Sequence, residues 1–113
     1  MRNERYKFGP YQLISVERQL LRNGDSVPIT NKAFDTLLTL VGRSGNLVEK
    51  SELFATVWKD TCVEEGNLAV TVSMIRKALG DNRKDQKYIE TISKKGYRFV
   101  ATTTLVETGD ATA

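Results

Sequence analysis

The sequence predicts an α+β fold in which a small N-terminal antiparallel sheet is followed by three helices and a C-terminal β-hairpin. Before residue 30, short stretches of alternating polar and apolar residues are separated by strong turn pairs. Between residues 31 and 79, three segments carry apolar residues at helical spacing. Two further alternating stretches flank a polar turn at residues 93–96, and these three observations together define the fold class.

The N-terminal segment, residues 5–30, is expected to form short strands. Gly9-Pro10 and Asn23-Gly24 mark turns, and Asn-Gly is the favoured pair of a type I′ turn. We therefore expect Gln19–Arg22 and residues 26–29 to pair as a hairpin.

Two helices are predicted after these strands. The first runs from Asn31 to about Arg43 with Thr30 as its N-cap, and the second starts near Ser51. Their apolar faces consist of Ala33, Phe34, Leu37, Leu38 and Val41 in the first helix and Leu53, Phe54, Val57 and Trp58 in the second. Trp58 is interpreted as a core anchor and not as a ligand contact, because large aromatic side chains dominate core packing.

The third helix is predicted from about Asn67 to Leu79, after a polar, acidic loop that extends from Lys59 to Gly66. Gly80 is well placed for a left-handed C-cap. The core-facing side chains fall within one narrow arc of the helical wheel and are Leu68, Val72, Ile75 and Leu79. The order of the helices is compatible with a helix-turn-helix layout.

The C-terminal hairpin is predicted to pair residues 88–92 with residues 97–101 around the turn at residues 93–96. Gly96 can supply a positive φ if the turn needs one. Tyr97 and Phe99 alternate with Arg98, so that one face anchors the hairpin and the other shows charge. Beside the third helix, this hairpin would be the wing of a winged helix-turn-helix. Residues from Thr102 onward are expected to fray.

The composition argues against several classes of function. The 113 residues suit one domain, and no apolar run approaches the ~18–20 residues of a membrane span. Histidine is absent, which excludes histidine-based catalysis and metal ligation, and the single cysteine, Cys62, cannot form an internal disulfide. Without a phosphate-cradling glycine loop or a nucleophile–base pair, we expect neither an enzyme nor a cofactor or metal site.

Positive charge is concentrated near the C-terminal end of the chain. Residues 76–98 contain eight Lys/Arg and three Asp/Glu, whereas residues 1–75 contain nine of each. Residues 99–113 contain two acidic residues, Glu107 and Asp110, and no Lys/Arg, so the net charge of +3 combines one basic region of +5, a neutral body and an acidic end of −2. This distribution is typical of a protein that binds a polyanion.

The face of the third helix opposite its apolar arc is the first candidate binding surface. It carries Asn67, Val70, Ser73, Met74 and Lys77, with Thr71 and Arg76 on the flanks. This face has no acidic residue, and its side chains are short or flexible, so the helix could approach the floor of a DNA major groove closely. The alternative stays open that Val70 and Met74 pack against another part of the fold.

The turn of the hairpin is the second candidate surface. Lys94 and Lys95 place two ammonium groups at a protruding tip, which suits a minor groove or a phosphate backbone. A solvated charged turn is the alternative. Taken with the charge distribution, the helix and the tip predict a protein that binds double-stranded DNA.

Four motifs of this chain resemble the OmpR/PhoB-type winged-helix DNA-binding domain. They are Leu53 through Trp58, Ile75-Arg76-Lys77-Ala78-Leu79, Tyr88-Ile89-Glu90-Thr91-Ile92 and Lys95-Gly96-Tyr97-Arg98-Phe99. The resemblance covers residues 6–101. It implies a four-stranded N-terminal sheet and a bacterial transcriptional regulator that places its third helix in the major groove and its wing in the minor groove.

The resemblance and the residue chemistry together nominate a set of DNA-contacting side chains. They are Asn67, Val70, Thr71, Ser73, Met74, Arg76, Lys77, Thr91, Ser93, Lys94, Lys95 and Arg98. Family members often carry arginine at the positions of Ser73, Met74 and Ser93, so a different operator or weaker intrinsic binding is expected. Lys94 and Lys95 would compensate at the wing.

The chain is similar in pattern to the CadC/ToxR-like branch of this family. Ala33 stands where many members have glutamate, and the domain begins a few residues after Met1 without a preceding receiver domain. We expect a DNA-binding domain over residues 1–103 and a flexible tail or linker over residues 104–113. The CadC/ToxR-like arrangement has a sensor downstream of such a domain, and both the presence and the absence of a sensor stay open here. The protein would be cytoplasmic or the cytoplasmic part of a membrane-tethered regulator.

Double-stranded DNA is the expected partner. The resemblance also implies that the loop between Lys59 and Gly66 can touch RNA polymerase, and that domains can bind tandem half-sites as head-to-tail pairs. Glu64 and Glu65 would then form an acidic knob, although their simplest role is to complement the N-terminus of the third helix. A winged helix used for protein–protein contact is the alternative function.

Overall fold

The structure is a computed structural model that describes residues 4–59, 64, 66–81 and 87–107. It contains an N-terminal antiparallel sheet, a central group of helices and a second, smaller antiparallel sheet. The predicted α+β winged helix-turn-helix is therefore confirmed in its element order.

Turn chemistry sets the register of the first strands, β1 (Glu4–Phe8), β2 (Tyr11–Ile14), β3 (Gln19–Arg22) and β4 (Asp25–Ser26). Asn23 and Gly24 have φ values of 52° and 90° and form the predicted two-residue hairpin turn. The second strand of that hairpin is shorter than predicted. Pro28 has no N–H to give to a ladder, and the last backbone bond here runs from Val27 N to Leu20 O.

A fifth strand, β8 (Thr104–Glu107), completes this sheet in the order β4-β3-β2-β1-β8. It pairs antiparallel to β1, with Thr104 opposite Lys7. The prediction of a flexible tail starting at Thr104 is therefore wrong for residues 104–107, and the sheet has five strands instead of four. The physical reason is that the outer edge of β1 would otherwise present unpaired backbone groups. Residues 108–113 lie outside the described residues.

Three helices, α1 (Asn31–Gly42), α2 (Lys50–Val57) and α3 (Gly66–Ala78), confirm the predicted set to within one residue at most ends. The N-cap of α1 is the predicted one, because Thr30 Oγ1 accepts the backbone N–H of Ala33 at 3.2 Å. At the start of α2, the carboxylate of Glu52 accepts the backbone N–H of Glu49 at 3.2 Å.

The second sheet forms the base of the wing. It consists of β5 (Leu47–Glu49), β7 (Gly96–Phe99) and β6 (Ile89–Ile92), in that order. Gly96 belongs to β7 and does not have a positive φ; the positive φ of the turn, 65°, is that of Lys94. The predicted role of Gly96 is therefore wrong. A Cβ on Gly96 would lie 2.9 Å from Cα of Glu49 and closer still to the carbonyl oxygen of Val48, so glycine permits β5 to approach β7.

The hydrophobic core lies between α1, the two sheets and the inner face of α3. Its fully buried side chains include Phe34, Leu37, Leu53, Leu68, Ile75, Ile89 and Phe99. Trp58 is 7% exposed and packs against Phe54, which confirms its interpretation as a core anchor. In this part of the fold, the core holds α3 beside the wing and leaves one face of α3 in solvent.

Candidate nucleic-acid interface

One face of α3 is open to solvent and is called here the outward face: Asn67, Val70, Ser73, Met74 and Lys77. Val70 is 59% exposed and Met74 is 42% exposed, although both are large apolar side chains. On the opposite side, Leu68, Val72 and Ile75 are at most 1% exposed. The structure therefore confirms the predicted division of α3 into a core face and an exposed face.

Met74 also borders a groove on the surface of the protein. With Lys77 and Ala78 it lines one side of a groove whose other side is formed by Val27, Pro28 and Ile29. The alternative that this side chain lies against another part of the fold therefore holds in part for Met74. Val70 does not line this groove.

Two residues on the flanks of α3, Thr71 and Arg76, are buried although they were nominated as DNA contacts. Thr71 is 7% exposed, and its hydroxyl donates to the carbonyl oxygen of Asn67 at 2.8 Å. Arg76 is 6% exposed. Neither side chain is therefore exposed beside the outward face in this structure, and their contact with DNA stays a prediction. Both lie on the margins of the apolar arc, and Arg76 contacts β6 of the wing there.

Arg76 joins α3 to the wing. Its Nη2 donates to the carbonyl oxygen of Ile89 at 2.9 Å and to Oγ1 of Thr91 at 2.7 Å. Charge-assisted hydrogen bonds of this kind are among the stronger polar contacts of a folded protein. The guanidinium therefore couples the orientation of the wing to that of α3.

Asp81 holds the start of the wing, a role that the sequence pattern did not predict. Its carboxylate accepts the backbone N–H groups of Lys87, Tyr88 and Ile89 at 2.7, 3.0 and 3.1 Å. Gly80 has the predicted positive φ, 68°, and the N–H of Asp81 returns to the carbonyl oxygen of Arg76. In the sequence, the one indication of this role is that Asp81 directly follows Gly80, the glycine C-cap of α3.

The wing tip, defined as Ser93, Lys94 and Lys95, is exposed as predicted. The N–H of Lys95 donates to the carbonyl oxygen of Ile92 at 2.9 Å, which closes the turn. The carbonyl oxygen of Lys95 accepts the N–H of Lys50 at 3.1 Å, at the first residue of α2. The tip is thus attached to the helical body through its backbone, and both lysine side chains stay in solvent.

Arg98 is not a free cation of the wing. It lies opposite Glu90 in the β6–β7 ladder, and its Nη2 and Nε atoms lie 2.8 and 3.1 Å from Glu90 Oε1. The predicted contact of Arg98 with DNA therefore competes with this ion pair. On the other face of the hairpin, Tyr97 and Phe99 are buried, as the alternation predicted.

The base of the wing is aromatic. The ring of Tyr88 packs against Phe8, Tyr11 and Phe99, with ring centroids 5.6–6.4 Å apart. Burial raises the pKa of the Tyr88 hydroxyl above its ordinary value. These contacts fix the wing to the N-terminal sheet.

The loop predicted to touch RNA polymerase lies largely outside the described residues, as do Cys62 and Glu65. Glu64 is exposed, and its carbonyl oxygen accepts the N–H of Asn67 at the start of α3. Among the helices that the structure describes, none has the length and hydrophobicity required to traverse a bilayer.

Comparison with known proteins places the chain in a family. Residues 24–99 match the family described as transcriptional regulatory protein, C terminal. The transcriptional regulator HilA of Salmonella typhimurium is 32% identical over 97 residues, which are 86% of this chain and 17% of HilA. The transcriptional activator CadC of Escherichia coli is 32% identical over 83 residues, which are 73% of this chain and 16% of CadC. The chain thus spans less than a fifth of the length of either relative.

Solved structures agree with this assignment. The DNA-binding domain of Escherichia coli CadC superposes with a TM-score of 0.79 at 26% identity, over 94% of this chain and 100% of that domain. The DNA-binding domain of Klebsiella pneumoniae RstA, solved in complex with the RstA box, gives a TM-score of 0.76 at 28% identity, over 85% and 96% of the two chains. The chain therefore belongs to the OmpR/PhoB-type family of transcriptional regulatory domains and has the winged-helix fold of that family's DNA-binding domains, among them that of CadC.

Proposed function

We propose that this chain binds double-stranded DNA sequence-specifically as the DNA-binding domain of a bacterial transcriptional regulator, with α3 in the major groove and the wing tip in the adjoining minor groove. The observation that carries the proposal is the hydrogen-bonded connection between two exposed surfaces. The outward face has no acidic residue, and the wing tip beside it carries two lysines. Arg76 connects the two through Ile89 and Thr91.

In this proposal the nominated residues have different roles. Asn67 and Ser73 supply hydrogen-bonding groups on the outward face, where base edges would lie. Lys77, Lys94 and Lys95 supply exposed cations for phosphates. Ser93 lies at the wing tip and contributes a hydroxyl to the same contact.

Arg76 and Thr91 act as positioning residues in this proposal. Their mutual hydrogen bond and the burial of Arg76 favour a role in holding the wing at a fixed distance from α3. Thr91 is exposed and can also meet a phosphate through its hydroxyl. Thr71 is buried and its hydroxyl donates to the carbonyl oxygen of Asn67, so we assign it a secondary part in the interface.

The wider assignments rest on family likeness. We propose a folded domain that includes β8 and a cytoplasmic location within a longer regulator of the CadC type. Contact of the loop between Lys59 and Gly66 with RNA polymerase, and head-to-tail pairing on tandem half-sites, are parts of the same proposal.

Selection of duplexes from a random pool tests the proposed function. The 113-residue chain is expected to enrich a defined motif, and the enriched duplex should bind at least about 1,000-fold more tightly than a scrambled duplex at the same salt concentration. Equal affinity for the enriched and the scrambled duplex would contradict sequence-specific binding. Retention of a protein partner without any affinity for duplex DNA would favour the alternative of a winged helix used for protein–protein contact.

A further inference from the structure

We infer that α3 recognises its operator through the 5-methyl groups of neighbouring thymines, with Val70 and Met74 as the contacting side chains. The inference rests on the proposed function and names the base feature that the outward face selects. It starts from two large apolar side chains that the fold leaves in solvent.

Val70 and Met74 form one apolar patch. They are 59% and 42% exposed, and they belong to the five large hydrophobic residues that the described part of the chain exposes. Their spacing of four residues places them on the same side of α3, with Cβ atoms about 5–6 Å apart. Leaving such side chains in water costs free energy, so their burial against a ligand is favourable.

The chemistry of the major groove limits what this patch can recognise. Among the edges that base pairs present there, the thymine methyl group is the one apolar feature. A guanine or cytosine edge presents polar groups, which a valine or methionine side chain would desolvate without a hydrogen bond in return. An apolar patch on the helix therefore favours positions at which thymine stands.

The rest of the described α3 supports this preference. A bidentate arginine is the usual partner of guanine, but the guanidinium of Arg76 is buried and donates to Ile89 and Thr91. In the described α3, Lys77 is the exposed cation, and it lies at the C-terminal end of the helix. The side chains that the central turns of α3 would present to the DNA major groove are thus Val70, Ser73 and Met74.

Replacement of thymine by uracil tests the inference, because it removes the methyl group and leaves base pairing unchanged. The duplex enriched from the random pool is resynthesised with deoxyuridine at one thymine at a time, and affinity is measured by fluorescence anisotropy. We expect one or two positions at which the substitution weakens binding about fourfold, which corresponds to about 0.8 kcal/mol for one buried carbon group.

A mutant cycle assigns those methyl groups to their side chains. Val70→Ala and Met74→Ala are expected to reduce the fourfold difference between thymine and uracil to less than about 1.5-fold at the position each contacts. Val16→Ala is the matched control, since Val16 is 53% exposed and lies outside α3, and this variant should keep the full difference. All three sites are exposed, so the variants are expected to fold.

The outcomes separate this inference from the proposed function. If the chain enriches a motif but no uracil substitution changes its affinity, DNA binding stands and methyl recognition is wrong. A uracil effect that persists unchanged in both α3 variants also overturns the assignment to Val70 and Met74. If no duplex is enriched, the proposed function fails, and the inference fails with it.

Discussion

Nη2 of Arg76 lies 2.7 Å from Oγ1 of Thr91, and this hydrogen bond links α3 to β6. The same nitrogen donates to the carbonyl oxygen of Ile89 at 2.9 Å. A residue that the sequence nominated as a DNA contact thus donates hydrogen bonds to two acceptors inside the domain. These two hydrogen bonds orient the wing relative to α3 in the absence of DNA.

Thr91→Val tests this link because it keeps the shape and the β-branching of the side chain but removes the acceptor. The variant is expected to lose about 1–2 kcal/mol of unfolding free energy, since a charged donor loses a hydrogen-bond partner. Urea unfolding followed by circular dichroism measures the loss. Thr104→Val, at an exposed position of β8, is the matched control and should stay within about 0.5 kcal/mol of the parent. Equal stability of the two variants would show that the bond contributes nothing.

Asp81→Ala is expected to lower the free energy of unfolding by more than Thr91→Val does. Three backbone N–H groups at the start of the wing lose their acceptor, namely those of Lys87, Tyr88 and Ile89. Ile89 is fully buried, so its N–H has no access to water. We expect a loss of about 2–4 kcal/mol, with Asp81→Asn intermediate because an amide keeps one acceptor oxygen. Hydrogen exchange at the Ile89 amide gives a second measurement, and unchanged protection there would contradict the role assigned to Asp81.

The two flanking residues of α3 show the limit of a helical-wheel argument. The periodicity of Leu68, Val72, Ile75 and Leu79 identified the core face correctly, because burial of that arc dominates the packing of the helix. Thr71 and Arg76 lie at the margins of the arc, where a helical wheel does not predict whether a side chain is buried or exposed. The burial of Arg76 depends on the position of the wing, which is a tertiary contact without local signature in the sequence.

Gly96→Ala tests the close approach of β5 and β7. The added Cβ would meet backbone atoms of Val48 and Glu49, which cannot move aside as a flexible side chain can. We expect a loss of about 1–3 kcal/mol or more from overpacking, measured by thermal or urea unfolding. Gly66→Ala is the control, since nothing lies within 4 Å of a Cβ there and α3 should gain slightly from alanine. Equal free energies of unfolding for Gly96→Ala and Gly66→Ala would contradict the close approach of β5 and β7.

β8 shows a second kind of limit. The segment Thr-Leu-Val-Glu has strand-forming residues, but its polar and small-residue surroundings favoured a tail. Its strand conformation depends on the edge of β1, nearly a hundred residues earlier in the chain. The hairpin around Asn23-Gly24, by contrast, was predictable because its turn determines its register locally.

The lysines of the wing tip should set the salt dependence of DNA binding. Lys94→Gln and Lys95→Gln each remove an exposed positive charge and keep a long polar side chain. For each phosphate that is no longer neutralised, the slope of log K against log salt concentration should become shallower by about 0.9, for the enriched and for a random duplex alike. Lys7→Gln removes the same charge from an exposed position of β1 and should leave the slope unchanged. A weakening of affinity confined to the enriched duplex would mean that the tip recognises sequence, and equal slopes for Lys94→Gln and Lys7→Gln would mean that Lys94 does not touch the backbone.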